Sequence, residues 1–172
     1  LSNNELMTRG AGEALAFLLK ANCVLQALNL SKNWEHHRAN DGPGFAAGIA
    51  DGLAQNGTLQ RLDISHNKLG ADGAIQLATA LAGNKVMRKL DLSYCMLAKL
   101  GNMTGVSAVT DAIATMEALE SLNLAHNAFG AAATDFIVRA LPNHSALACL
   151  NLAPNCIRPI EWVKIQGVCR AK

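Results

Sequence analysis

The sequence has no apolar run long enough to cross a membrane, since stretches such as 14–19 fall far short of the roughly 18 residues that a span requires. An excess of one charge is also missing, because 15 basic and 13 acidic residues leave a formal net charge of +2. Lysines and arginines are scattered rather than clustered, and binding to nucleic acid depends on clustered cations that neutralise phosphates. We therefore expect neither membrane insertion nor a nucleic-acid partner.

Cysteine pairs of the C-x-x-C type are absent, and the five cysteines are an odd number. This pattern favours reduced thiols over a disulfide framework or a zinc site. No secretory leader is visible in these residues. We predict an intracellular and cytoplasmic location, and an organellar or ciliary assembly stays open as an alternative.

Motifs that carry catalysis are also missing. The segment 101–105 lacks the lysine of a phosphate-binding loop, and no spacing indicates a Ser-His-Asp or Cys-His arrangement. His36 and His37 are adjacent, so their side chains point apart, and no carboxylate or cysteine cluster accompanies them. We predict that the chain is not an enzyme and has no catalytic residue, metal, cofactor or small-molecule substrate.

What the sequence does have is one eleven-position frame, L-x-x-L-x-L-x-x-(N/C)-x-(apolar), repeated five times with replacements such as Met87 at the first position and Ile64 at the sixth. The copies begin 34, 28, 32 and 28 residues apart, at Leu25, Leu59, Met87, Leu119 and Leu147. Five copies of one frame at intervals near 28 residues predict a repeat architecture in which each unit stacks on the next.

Each unit combines a strand pattern with a helix pattern. The Leu-x-Leu alternation is typical of a short strand whose leucines point inward. Between frames, residues recur at i, i+3, i+4 and i+7, as in Ala74, Leu77, Ala78 and Leu81. Parallel strands lie about 4.8 Å apart whereas packed helices need about 8–10 Å. The stack must therefore bend into an α/β solenoid, a horseshoe with a concave parallel sheet and convex helices.

The asparagine at the ninth frame position is interpreted as structural. Its amide can bond backbone groups of the turn that would otherwise be buried without partners. Cys95 replaces it in the third repeat, and we interpret this thiol as a small buried side chain in the same position.

The frame, together with the stretch LQRLDISHNKLGADGAIQLATAL, resembles the ribonuclease-inhibitor class of leucine-rich repeats from Leu1 to about Ile157. That class includes ribonuclease inhibitors, sensor regions of NOD-like immune receptors, activators of the GTPase Ran, and subunits of ciliary and other large assemblies. The resemblance implies the fold and a surface that binds protein, but names no partner.

We predict a single leucine-rich repeat domain over 1–172. It comprises a partial repeat at 1–24, repeats that start at 25, 59, 87, 119 and 147, and a tail at 158–172 that is either a last helix or a terminal cover. Leu1, Asn4 and Leu6 match the sixth, ninth and eleventh frame positions. We therefore expect a chain that begins partway through a unit, as a fragment or a processed product, because repeat stacks normally carry a polar cap at each end.

The third and eighth frame positions vary between repeats, whereas the fifth and seventh hardly change. Arginine and tyrosine are favoured as interface anchors, so we predict that these variable positions bind a partner on the concave face. The candidates are Lys32, Arg61, His66, Lys89, Tyr94 and His126. The alternative is that these side chains are simply solvated.

Two insertions, at 34–44 and 98–105, follow a strand and precede a helix, so we expect both on one rim of the horseshoe. Trp34, His36 and His37 make the first a rival candidate site. An exposed aromatic such as Trp34 often marks a docking site, and the alternative is that it folds over the neighbouring loop.

The sequence thus predicts a non-catalytic protein–protein interaction module, with a structural subunit of a large ciliary or organellar complex as the alternative. A small-GTPase regulator is disfavoured because the chain ends in 169–172 without the acidic tail of Ran activators. Inhibition of a cationic ribonuclease is also disfavoured, because it calls for an acidic horseshoe and this chain has a net charge of +2. Sensor duty in a NOD-like receptor requires a nucleotide-binding domain outside these residues.

Overall fold

A computed structural model describes residues 1–34, 41–98, 101–141 and 146–170. Helices and short strands alternate along the chain. The helices are α1 (Arg9–Ala21), α2 (Gly42–Leu53), α3 (Gly70–Leu81), α4 (Thr104–Ile113), α5 (Thr134–Ala140) and α6 (Pro159–Arg170). The strands are β1 (Ala27–Asn29), β2 (Arg61–Asp63), β3 (Lys89–Asp91), β4 (Ser121–Asn123) and β5 (Cys149–Asn151). Among the described helices, none has both the length and the apolar character needed to cross a membrane.

The strands form one five-stranded sheet in the order β1-β2-β3-β4-β5, and each neighbouring pair is parallel. The same frame position pairs with itself from strand to strand. The fourth-position leucines form one row across the sheet: Leu28, Leu62, Leu90, Leu122 and Leu150. The predicted parallel α/β solenoid is confirmed.

The helices bury the faces that the sequence pattern predicts. In α3, Ala74, Leu77, Ala78 and Leu81 are all buried, and α1, α2 and α4 bury the corresponding residues. In α5 the pattern is weaker, because Val138 is only half-buried. The helix faces and the inward leucines of the strands together form one continuous core, and burial of this apolar surface is the main force that holds the repeats together.

A ladder of asparagine side chains connects the turns that follow the strands. Asn127 Nδ2 donates to the carbonyl oxygens of Leu92 at 2.8 Å and Leu124 at 3.0 Å. Its Oδ1 accepts from the backbone nitrogens of Cys95 at 3.0 Å and Leu97 at 3.3 Å. The ninth-position asparagines of three other repeats make equivalent bonds: Asn33, Asn67 and Asn155. Each amide therefore satisfies buried backbone groups of two successive repeats, which explains why the position is so regular.

Cys95 takes the place of one amide in this ladder. Its side chain is fully buried, and Sγ lies 3.3 Å from the carbonyl oxygen of Ile64. Burial raises the pKa of the Cys95 thiol far above its usual range, although a hydrogen bond from the backbone of Asn67 opposes that shift. The thiol is therefore held protonated and acts as a weak donor in a position where other repeats have a strong one.

The tail of the chain forms the helix α6. Pro159 is its first residue, where a proline ring suits the first turn of a helix. Ile165 is buried in the core, and the partly buried side chain of Trp162 packs against the same core. Of the two alternatives for the tail, Pro159–Arg170 form a helix, and Ile165 also makes this helix part of the apolar core.

Candidate protein-binding site

The eighth frame position has an unusual backbone conformation. Lys32, His66, Tyr94 and His126 all have φ between 57° and 59°, in the left-handed region that non-glycine residues seldom adopt. Because these residues share one conformation at the ends of parallel strands, their side chains leave the backbone in the same direction. Pro154 occupies the eighth position of the fifth repeat and is not among the residues with positive φ, since its ring excludes that conformation.

The side chains of His66, Tyr94 and His126 form a continuous stack, which we call the ring stack. The ring centroids of His66 and Tyr94 lie 4.0 Å apart, and those of Tyr94 and His126 lie 3.9 Å apart. Both pairs are nearly parallel, with interplanar angles of 15°. The strand spacing of about 4.8 Å brings the rings within stacking distance. Tyr94 separates the two imidazoles, so the histidines do not meet as a metal-ligand pair would.

The ring stack borders a concavity of about 400 Å³ at the ends of the strands, which we call the rim basin. Its described lining residues are Asn3, Lys32, Trp34, His66, Lys68, Tyr94, Met96 and His126. Lys68 Nζ lies 3.1 Å from the centroid of the Trp34 ring, a cation–π contact. Trp34 itself is half-buried and packs against the core. The structure therefore places the predicted rim residue Trp34 beside four of the predicted concave-face residues.

Arg61 and Lys89 lie elsewhere, on the open face of the sheet. They are exposed neighbours in adjacent strands, and they border a second concavity of about 420 Å³, which we call the sheet basin. Asp63 and Asp91 also line it. The six predicted concave-face residues are thus divided between two basins. The predicted rim residues His36 and His37 lie outside the described residues.

The fifth-position side chains have a local structural role. In each repeat the side-chain oxygen accepts a hydrogen bond from the backbone nitrogen two residues later, as Asp91 Oδ1 does from Ser93 at 2.9 Å. The same bond recurs at Asn29, Asp63, Asn123 and Asn151. These residues close the turn after each strand, which accounts for the uniform composition of this column.

Sequence reasoning did not identify three of the residues that line the rim basin. Lys68 and Met96 occupy the tenth frame position, and Asn3 occupies the eighth position of the partial first repeat. The tenth position is also left-handed at Lys68 and Met96, so its side chains emerge beside those of the eighth. Comparing the tenth frame position between repeats, together with the eighth, would have identified the ammonium group of Lys68 and the thioether of Met96.

Within the described ranges no group of three or more His, Cys, Asp or Glu side chains could hold a metal ion.

A further groove of about 630 Å³ lies on the helix side, between α1 and α2, where the ion pairs Arg9–Asp41 and Lys20–Asp51 connect the two helices. Both concave basins combine cations with hydrogen-bonding side chains on a continuous surface of neighbouring repeats.

Residues 55–78 match a family model described as Leucine Rich repeat. The fold is that of a leucine-rich repeat solenoid. The matched segment begins just after α2 and runs through β2 into α3, which is the strand, loop and helix of a single leucine-rich repeat.

Solved structures of similar shape extend the comparison to most of this leucine-rich repeat chain. The C-terminal domain of tropomodulin from Caenorhabditis elegans superimposes with a TM-score of 0.70 and 8% sequence identity, covering 92% of this chain and 91% of that one. Leiomodin-1 Actin-Binding Site 2 gives a TM-score of 0.67 and 12% identity, with coverages of 90% and 85%. At these identities the similarity establishes the leucine-rich repeat fold alone.

Proposed function

We propose that this chain is a non-catalytic protein–protein interaction module that binds its partner through the concave side of the solenoid. The observation that carries the proposal is the ring stack, three aromatic side chains from successive repeats beside the rim basin. Tyr94 remains 40% exposed at its centre. Tyrosine offers a large, rigid contact area together with a hydroxyl group, the combination that interface anchors share.

The sheet basin adds a second part to the same surface. Arg61 and Lys89 provide exposed cations beside the carboxylates of Asp63 and Asp91. Such charged groups favour correct orientation of a partner and faster association, whereas a buried aromatic centre supplies most of the affinity. We therefore expect one partner to cover both basins, with Tyr94 near the centre of the contact.

Actin is the first partner to test, because one solved structure of similar fold is described as Leiomodin-1 Actin-Binding Site 2. The support is limited to this structural similarity. Purified monomeric actin can be titrated against the immobilised chain by biolayer interferometry, and filamentous actin can be tested by co-sedimentation. In parallel, quantitative mass spectrometry of proteins retained from a native lysate would identify other partners.

A matched pair of double variants tests the proposal. Arg61→Ala with Tyr94→Ala removes one cation and one aromatic ring from the concave side. Phe17→Ala with Lys85→Ala removes the same two kinds of group from exposed positions in α1 and in the loop after α3. We expect the first variant to lose about 30-fold or more in affinity, as for a hot-spot residue, and the second to stay within about twofold, as for exposed positions outside an interface.

Each outcome of this comparison is informative. Equal affinity of the two double variants would contradict the role of the concave side. Suppose that the natural chain retains another protein but not actin, and that the variant with Arg61→Ala and Tyr94→Ala does not retain that protein. Actin would then be excluded, and the result would support the proposed interaction module. A retained complex that survives high salt would favour the alternative of a permanent structural subunit.

A further inference from the structure

The rim basin and the sheet basin differ in charge. In the sheet basin Arg61 and Lys89 face the carboxylates of Asp63 and Asp91, so the formal charges balance. The described lining of the rim basin holds two lysines and two imidazoles and includes no carboxylate. Although the whole chain carries a formal charge of only +2, this one concavity is cationic.

Among the residues that the structure describes, no carboxylate neutralises the two lysines of the rim basin, Lys32 and Lys68. Lys68 instead lies over the ring of Trp34, which attracts the ammonium group without carrying a formal negative charge. Since an ammonium group has three hydrogen-bond donors, Lys68 can hold the indole and still pair with an incoming anion.

The ring stack offers the same basin a row of polar edges. The facing surfaces of His66, Tyr94 and His126 cover one another, with ring centroids 3.9–4.0 Å apart. A ligand in the basin can therefore reach the outer faces of His66 and His126 and the ring edges, which carry the imidazole nitrogens and the phenol hydroxyl. The imidazole N–H groups and the hydroxyl are donors suited to carboxylate and carbonyl oxygens.

We propose that the rim basin binds an acidic segment of a partner protein, whose carboxylates pair with Lys32 and Lys68 while its polar groups contact the edges of the ring stack. This inference rests on the proposed binding function and adds the chemical class of the bound segment. Charge complementarity supports it, because the concavity is cationic, is lined by aromatic rings and lies at the ends of the strands that carry the sheet basin. A nucleic-acid backbone fits less well, since its affinity grows with the number of phosphates neutralised and this basin supplies two lysines.

The first test uses two fluorescein-labelled ten-residue peptides, one of alternating glutamate and glycine and one with glutamine in place of every glutamate. Fluorescence anisotropy should show binding of the glutamate peptide that weakens as salt is added, because exposed ion pairs are screened. The glutamine peptide should bind at least about fivefold more weakly. Equal binding of the two peptides would overturn the inference.

A pair of double variants with the same net charge locates the binding. Lys32→Gln with Lys68→Gln removes the two rim cations, and Lys85→Gln with Lys164→Gln removes two exposed cations elsewhere. We expect about a tenfold loss of affinity for the glutamate peptide in the first variant and less than twofold in the second. Lys32→Arg with Lys68→Arg should retain binding. Equal losses in the two glutamine variants would mean attraction by net charge alone and would overturn the inference.

Two further measurements separate this inference from its alternatives. A ten-nucleotide single-stranded DNA that binds more tightly than the glutamate peptide, and loses affinity in the rim variant, would overturn it in favour of nucleic acid. A protein partner that binds the variant with Lys32→Gln and Lys68→Gln but not the variant with Arg61→Ala and Tyr94→Ala would overturn the acidic-segment inference alone. Retention of the partner by both variants would overturn the proposed function as well.

Discussion

The backbone of Gly48 in α2 lies against the backbone of Gly12 in α1, so closely that a β carbon added at Gly48 would stand 2.1 Å from the carbonyl carbon of Gly12. One turn later, a β carbon at Gly52 would lie 2.8 Å from Cβ of Leu19. The ion pairs Lys20–Asp51 and Arg9–Asp41 join the same two helices. The first two helices of the solenoid therefore touch through their main chains, and any side chain at Gly48 must push them apart.

We expect Gly48→Ala to destabilise the fold by about 2–3 kcal/mol, which is typical of an overpacked core position. This loss should exceed the roughly 0.5–1 kcal/mol that alanine normally gains over glycine within a helix. Gly10 in α1 is the matched control, because a β carbon there would meet no atom within 4 Å. Urea unfolding should show Gly10→Ala at or above the stability of the natural sequence. Similar midpoints for the two variants would contradict the close helix contact.

A second prediction concerns the asparagine ladder. Asn127→Ala would leave the buried backbone nitrogens of Cys95 and Leu97 without an acceptor. It would also remove the hydrogen bonds that the amide donates to two carbonyl oxygens. Because one buried unsatisfied group costs about 1–3 kcal/mol, we expect a loss of about 3 kcal/mol or more. Cys95→Ala removes only weak sulfur contacts and should cost less. Urea unfolding of both variants tests this order, and a larger loss for Cys95→Ala would refute it.

Most of the fold could be predicted from the sequence because the pattern is periodic. Leucines such as Leu28 and Leu62 recur at one frame position, and identical positions pair across a parallel sheet. The tail was harder to predict because it is not a copy of the frame. Pro159 suits the first turn of a helix, but the local pattern does not indicate that Ile165 packs into the core. That contact depends on how the last repeat presents its apolar surface.

The site was only partly predictable, for a different reason. The eighth column identified His66, Tyr94 and His126 as neighbours on one surface, but face-to-face stacking depends on their shared left-handed backbone. Lys68 was not identified, because its role depends on a contact with Trp34 of the preceding repeat. Trp34 and Lys68 both occupy the tenth frame position of successive repeats, so that column makes them neighbours, but the cation–π contact between them depends on side-chain conformations that the pattern does not specify.

A third prediction uses the left-handed conformation of Tyr94, whose φ is 57°. Both Tyr94→Ala and Tyr94→Gly remove the two ring contacts, which are worth about 0.5–1.5 kcal/mol each. Glycine adopts this conformation without the roughly 1–2 kcal/mol of strain that a β carbon causes. We therefore expect the glycine variant to be more stable than the alanine variant, the reverse of the usual order in a helix or strand. Thermal and urea unfolding measure the difference, and the opposite order would exclude a strained backbone at this position.

The last prediction concerns alkaline pH. Because burial raises the pKa of the Cys95 thiol far above its usual range, the thiol stays protonated in the folded protein at pH values where it ionises in the unfolded chain. The unfolded state then binds fewer protons than the folded state, so stability falls as pH rises. The decline should begin near the ordinary cysteine pKa of about 8.5 and approach at most about 1.4 kcal/mol per pH unit.

Cys95→Asn isolates this effect, because it removes the titrating thiol and restores the amide that the other repeats carry at this position. The free energy of unfolding of both proteins should be measured in urea at intervals from pH 7 to 10. Other groups that titrate in this range contribute to both proteins, so the difference between the two curves reports Cys95. We expect that difference to grow in favour of Cys95→Asn as pH rises. A constant difference would mean that the folded protein accommodates the thiolate, which contradicts the fully buried position of Sγ within the core.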